Sequence, residues 1–257
     1  MTIDDAKANV RTQYGSAGNA YVTSVGHATG NDLPRMVEVS RPLPTDVLLD
    51  IATGGGHVAK AFAPHVSRVI ASDLTPEILG HAATFLRESG VTNVETLLAD
   101  AEAIPLENAS VDLVTCRIAP HHFPNPGAFV TESARVLNPG GRFVLIDSTV
   151  EEGGAGVFFN AFETLRDPSH VRSLTIAEWQ KLIVGAGLTL QLTESFSKRH
   201  DFEDWTTRSR MSTDDRSRLE AMLLHASDAT RTAHNVEIVD GHVTAFTDTK
   251  TLFLATK

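Results

Sequence analysis

Asp50 closes the apolar run Val47–Leu49, and two residues later the chain enters Ala52-Thr53-Gly54-Gly55-Gly56. A glycine turn of this kind lets a ligand approach main chain closely, and the ligand is a phosphate or a nucleoside. The run from Gly54 to Ala59 formally fits the dinucleotide pattern, which alone is a weak signal. Asp50 decides between the ligands. A carboxylate beside the turn repels a pyrophosphate and favours a cation, such as the amino acid and sulfonium of S-adenosylmethionine (SAM). Asp73 ends the next apolar run, where an acidic side chain can accept both hydroxyls of a ribose. Asp100-Ala101 follow the third run, where a carboxylate can accept from an adenine amino group. One such carboxylate reads as easily as a solvated turn or a helix cap. Three at the ends of successive runs, with the glycine turn, point to one nucleoside.

After a fourth run come Cys116-Arg117-Ile118-Ala119-Pro120-His121-His122. The histidine pair has three readings: metal ligands, a structural or cofactor-shell role, or a general base that, if the ligand is SAM, acts on the acceptor of its methyl group. Neighbouring histidines point in different directions and a metal needs further ligands, so no metal site is expected. A base reading suits histidine because its ordinary pKa is about 6.5. Methyl transfer from a sulfonium is an in-line displacement with an activated leaving group, so alignment and desolvation can do most of the work. The histidines therefore leave O-, N- and C-methylation open. Arg117 either touches the cofactor, orients an anionic acceptor or forms a salt bridge. Cys116 reads as core. Two basic clusters, Arg166–Arg172 and Lys198–Trp205, are candidate walls of the acceptor pocket.

These residues need elements that bring them to one edge. The short apolar run 47–52 has the signature of a strand buried on both faces, and 68–74, 94–100, 111–118 and 142–150 read as further strands, separated by helical segments at 56–65, 75–90 and 127–141. Thr75 and Pro76 mark a helix start, Gly90 its end, and a Pro-Gly-Gly stop closes the helix at 127–141. Alternation of this kind predicts a parallel, doubly wound sheet with ligands at the carboxyl ends of its strands. Beyond 150, helices are predicted at 155–167, 175–188 (with Thr175 and Glu178 as a capping box) and 213–231. Strands are predicted at 189–198 and at the C-terminus, and Asp240-Gly241 signals a hairpin.

The bounds agree. A chain of 257 residues with 42% hydrophobic residues can bury a full core. A net charge of −10 disfavours nucleic acid and anionic membrane surfaces as partners. One cysteine excludes an intrachain disulfide and a cysteine zinc site. With no apolar run near the roughly 18 residues a bilayer needs and no signal-like N-terminus, a cytoplasmic protein is expected, as monomer or homodimer.

On these residues the chain resembles the class I SAM-dependent methyltransferases over about 45–150. The stretch 47–59 resembles the family's first motif, with Ala52 where the first glycine usually stands; 69–79 resembles the second, 97–123 the third and fourth, and 134–147 the fifth. The segment around 100–105 resembles the UbiE-like branch, and 166–179 and 225–231 resemble a narrower bacterial group typified by YcgJ, which brings no substrate with it. The resemblance implies a Rossmann-like α/β fold: a seven-stranded sheet, mostly parallel with an antiparallel last strand, plus helical lid insertions. It divides one domain into an N-terminal helical cap (1–45), a SAM-binding core (46–150) and a C-terminal part with lid insertions (151–257). Cofactor contacts then fall on Tyr21, Asp50, Ala52, Thr53, Gly54, Gly55, Asp73, Leu74, Asp100, Ala101, Arg117 and His122, and catalysis on His121 and His122. The implied activity is SAM-dependent methylation of a small molecule. A SAM-binding protein without turnover and an NAD-linked oxidoreductase are the alternatives; Asp50 opposes the second.

Overall fold

The computed structural model describes residues 3–15, 32–209 and 211–257. Tyr21 and residues 16–31 of the expected cap lie outside them. Five strands follow the predicted runs: β1 (Val47–Ile51), β2 (Arg68–Asp73), β3 (Val94–Leu98), β4 (Val111–Arg117) and β5 (Leu137–Val150). A two-residue β6 (Leu174–Thr175) joins β5, and β7 (Thr189–Asp201), β8 (Glu237–Val239) and β9 (His242–Thr256) complete the sheet. Its main order is β3-β2-β1-β4-β5-β9-β7. The strands β1 to β5 pair in parallel, and β9 runs antiparallel between β5 and β7. Seven strands thus form the main path, and the two short ones, β6 and β8, are additions to the expected seven.

Described helices are α1 (Ile3–Gly15), α2 (Asp32–Ser40), α3 (His57–Phe62), α4 (Pro76–Glu88), α5 (Pro126–Val136), α6 (Gly154–Arg166), α7 (Ile176–Gly185), α8 (Phe202–Arg208), α9 (Thr213–Leu224) and α10 (Asp228–Ala233). The runs of β1, β2, β4 and β5 are apolar because both faces of the sheet are covered there, whereas the edge strand β3 is largely exposed. One face packs Leu49, Val114 and Phe143 under Phe129 of α5 and Trp179 of α7. The other packs Leu48, Val69 and Val144 under Met36 of α2, Phe62 of α3 and Leu86 of α4. A third, separate cluster joins Phe159 and Phe162 of α6 to Trp205, Leu219, Leu223 and Phe246. Sharing its helices among 154–166 and 202–224, it gives the C-terminal insertions a core of their own.

Local chemistry sets the boundaries. The Thr175–Glu178 capping box starts α7. Asn125 caps α5, with Pro126 in its first turn. That helix ends at Val136, and Pro139-Gly140-Gly141 fall within β5 instead of stopping a helix. The helix expected over 213–231 is two helices, because Ser227 accepts from the Thr230 amide and begins α10 afresh. Thr75 stands before α4 without a side-chain cap bond; its amide donates to Asp73 at 3.0 Å. At the β8–β9 hairpin, Asp240 and Gly241 have φ of 50° and 80°, as a tight two-residue turn requires.

Candidate active site

A cavity of about 230 Å³ opens at the carboxyl ends of the parallel strands. Around it stand Asp50 and Ala52–Gly55 after β1, Asp73 and Leu74 after β2, Asp100 and Ala101 after β3, and Arg117, His121 and His122 after β4. Every candidate cofactor residue within the described part of the chain therefore faces one space. Lys7 and Val10 of α1, Glu102, Arg166 at the end of α6 and Asp167 also line it.

The glycine turn is braced from below. Asp50 is 1% exposed and accepts from the hydroxyls of Thr53 (2.6 Å) and Thr115 (2.9 Å). Burial pushes its pKa up to about 6 against these two hydrogen bonds. Asp73 accepts from the Gly54 amide at 3.2 Å as well as from Thr75, so the carboxylate after β2 holds the turn after β1. Burial raises its pKa too. Gly56 precedes α3 at φ 81°, and a Cβ there would meet Leu86 at 3.3 Å, so glycine seats α3 against α4. Ala52 holds φ of 52°, the left-handed conformation a glycine would adopt without strain.

The remaining carboxylate and cation are engaged differently from a free ligand contact. Asp100 accepts from Lys7 (2.6 Å), which also pairs with Glu102 (2.7 Å), so α1 is tied across the third strand end. Arg117 forms a two-point ion pair with Asp32 of α2, at 2.7 and 3.1 Å, while lining the cavity. Lys7, Glu102 and Asp32 were not singled out in the sequence, since only tertiary contact reveals such pairs.

The histidines occupy a short 3-10 turn, Pro120–His122, and both are buried. His121 Nδ1 lies 2.6 Å from Oδ1 of Asp147 in β5. His122 Nδ1 lies 3.1 Å from the Ser169 carbonyl. Burial, with His122, His170 and Lys250 nearby, holds the His121 pKa well below the ordinary histidine value. Asp147 was missed, though one acidic residue ending the apolar run 143–146 is the same signal that marked Asp50.

The two expected acceptor walls fare differently. In the cluster 166–172, Arg166 lines the cavity, pairs with Glu163 and lies 4.7 Å over the Trp205 ring. His170 is buried against Asn160 (2.9 Å), and exposed Arg172 pairs with Glu178. The cluster 198–205 does not line the cavity: Lys198–Asp201 continue β7, Arg199 pairs with Glu237, and Trp205 stacks on Phe162 in the insertion core. Among the described residues, no group of three or more His, Cys, Asp or Glu is arranged to hold a metal ion, and no helix is long and apolar enough to cross a membrane.

Residues 49–145 match the methyltransferase domain family. The methyltransferase YcgJ of Bacillus subtilis (strain 168) is 37% identical over 205 residues, 79% of this chain and 81% of that protein. Its crystal structure matches with a TM-score of 0.85 at 33% identity, over 88% of this chain and 97% of that one. The crystal structure of a candidate methyltransferase from Bacillus halodurans C-125 gives 0.86 at 38% identity, over 89% of this chain and 99% of that one. A ubiquinone/menaquinone biosynthesis C-methyltransferase, UbiE, of Hydrogenovibrio crunogenus is 31% identical over 115 residues, 43% of this chain and 45% of that protein.

Proposed function

The chain belongs to the methyltransferase family, and from that premise we propose that it moves a methyl group from SAM to a small-molecule acceptor. The observation that carries the choice of donor is a pair of carboxylates, buried Asp50 and half-buried Asp73, beside a glycine turn in one cavity. Uncompensated anions at this depth raise the free energy of a pyrophosphate there and lower that of a cation.

In this reading the Thr53–Gly55 turn and Ala52 form the close-approach surface for the amino acid end, with Asp50 supplying negative potential from behind. Asp73 and Leu74 hold the ribose, Asp100 and Ala101 the adenine, and Arg117 and His122 the methionine side, where Tyr21 also belongs. The bound donor supplies an electrophilic methyl group on a leaving group that departs neutral. The chain's own task is to align the acceptor with that methyl and to keep water out. His121 and His122 are the residues assigned to the acceptor's proton. Residues 46–150 are the cofactor core of one domain, α1 and α2 belong to its cap, and 151–257 supply the antiparallel strands and the lid with Arg166 facing the acceptor.

Calorimetry tests the donor: micromolar binding of SAM without binding of NAD is expected, and the reverse would make the protein an oxidoreductase. A panel of phenols, quinones and amines with labelled SAM tests turnover. Binding of SAM with no transfer above the uncatalysed rate would reduce the protein to a SAM-binding module.

A further inference from the structure

His121 and His122 share a turn but not an anchor. His122 meets a main-chain carbonyl and the Ser169 hydroxyl. His121 meets the carboxylate of Asp147, which has no solvent exposure and whose Oδ2 has no hydrogen-bond partner among the described residues. A buried carboxylate with an oxygen unsatisfied destabilises the fold, and apolar packing would be served better by another residue. The turn itself is fixed: the His121 carbonyl accepts from the amides of Val171 and Arg172 at 2.9 and 3.0 Å. The His121 ring neighbours those of His122 and His170, with centroids 4.1 and 5.5 Å away. Since Nδ1 is committed to Asp147 and the residue lines the cavity, Nε2 is the nitrogen left for a ligand.

We infer that Asp147 is the positioning residue of a His121–Asp147 dyad that removes the acceptor's proton, and that the acceptor reacts through a hydroxyl, enol or phenol oxygen or an acidic carbon, not through an amine. The inference rests on the SAM reading above. As the acceptor atom takes the methyl group, the electron pair of the broken carbon–sulfur bond stays on sulfur. The acceptor's proton passes to His121 Nε2, Asp147 stabilises the imidazolium through Nδ1–H, and the proton then leaves to water. A free amine attacks with a lone pair it already carries and loses its proton afterwards, so an oriented base adds little to its transition state.

The charges around the pair set its working range. It is faced by His122 in the same turn, Glu163 on α6, His170 in the following loop, Lys250 on β9 and Cys116 on β4. Burial pushes Asp147 up to about 7, with Lys250 the main opposing influence. Above that pH the carboxylate accepts from Nδ1–H and Nε2 carries a lone pair. Below it Asp147 keeps its proton and donates it in a hydrogen bond to Nδ1, the hydrogen of the neutral ring sits on Nε2, and the base is lost. Turnover of a neutral acceptor should therefore rise with pH through about 7.

The test uses the full chain, saturating SAM and four acceptors: 4-methylphenol for an O–H acid, ethyl acetoacetate for a C–H acid, 4-nitrophenol as an acceptor already ionised at mildly alkaline pH, and benzylamine. Wild type should methylate 4-methylphenol or ethyl acetoacetate. Asp147→Asn should lower kcat on that acceptor by roughly 100-fold or more, and on 4-nitrophenol by less than roughly tenfold. Its Kd for SAM should stay within about twofold, and the acid limb of the pH profile should vanish. His121→Gln should show the same pattern, and the double variant should be no worse than either single one. Equal losses on both phenols, an unchanged kcat in Asp147→Asn, turnover of benzylamine alone, or turnover of none of the four would overturn the dyad while SAM binding persists. Failure of the wild type to bind SAM would overturn the donor reading and this inference with it.

Discussion

Two residues on the cavity wall hold a backbone conformation that L side chains avoid. Ala52 after β1 has φ of 52°, and Ile118 after β4 has φ of 54°. The left-handed region costs an L residue about 1–2 kcal/mol, and a β-branched isoleucine is a marked case. Strain of this kind persists where surroundings impose it, and here both positions sit where ligand and main chain meet. Replacing Ala52 by glycine removes the steric cost while adding freedom to the unfolded chain. Ala52→Gly should therefore gain about 0.5–1 kcal/mol net and raise Tm by about 1–4 °C in scanning calorimetry. A Tm that does not rise would mean the turn is not held left-handed in solution. Asp73 is the second residue that repays substitution. Its carboxylate accepts from the Gly54 and Thr75 amides and faces the cavity. Asp73→Ala should weaken SAM by about 1–3 kcal/mol, because ribose hydroxyls would lose their acceptor. Unchanged affinity in a folded variant would remove Asp73 from the ribose.

At the scale of elements, α1 is held over the third strand end by Lys7, which bridges Asp100 and Glu102 and is itself only 18% exposed. With Lys7→Met the helix loses both ion pairs and leaves two carboxylates facing each other. Amide exchange across residues 3–15 should accelerate several-fold while the strands stay protected, and high salt should narrow the difference from wild type. Exchange unchanged by the substitution would show that apolar contacts alone hold α1. The same bridge explains what the sequence could and could not reveal. β1, β2 and β4 are covered on both faces, so they appear as unbroken apolar runs, and parallel topology then brings Asp50, Asp73, Asp100 and Arg117 to one edge. Their partners do not share that logic. Lys7 meets Asp100 across 93 residues, Asp32 meets Arg117 across 85, and neither sits in a motif. Of β9 the hairpin that opens it at Asp240-Gly241 and the apolar run that ends it are legible, and the polar stretch Thr247–Lys250 between them hides that they are one strand. Lys198–Trp205 looked like a pocket wall because it is basic, but β7 continues through Asp201 and turns those side chains toward Glu237, Asp248 and the insertion core.

For the molecule as a whole, the chain carries a net charge of −10, and the cavity concentrates part of it. Arg117 is neutralised by Asp32 and Lys7 by Asp100 and Glu102, which leaves Asp50 and Asp73 without a cation in hydrogen-bond contact among the described residues. Burial pushes Asp50 up to about 6 from the ordinary 3.8. A carboxyl whose folded pKa lies above its unfolded one favours the fold while protonated and loses that contribution as pH rises. Relative to Asp50→Asn, the wild type should therefore be unpenalised below about pH 4, lose ground between about 4 and 6, and sit lower by roughly 3 kcal/mol above that. Urea unfolding of both proteins across this range measures the gap, and a gap that is flat with pH would show that Asp50 is not shifted. A cationic donor reverses the penalty, because its charge favours the carboxylate. Near pH 6 the wild type should then release a fraction of a proton as SAM binds, and Asp50→Asn should release less and bind more weakly. Titration calorimetry in two buffers of different ionisation enthalpy reads the proton directly. Buffer-independent heats in the wild type would separate Asp50 from the charge of the ligand and leave it only the task of holding Thr53 and Thr115.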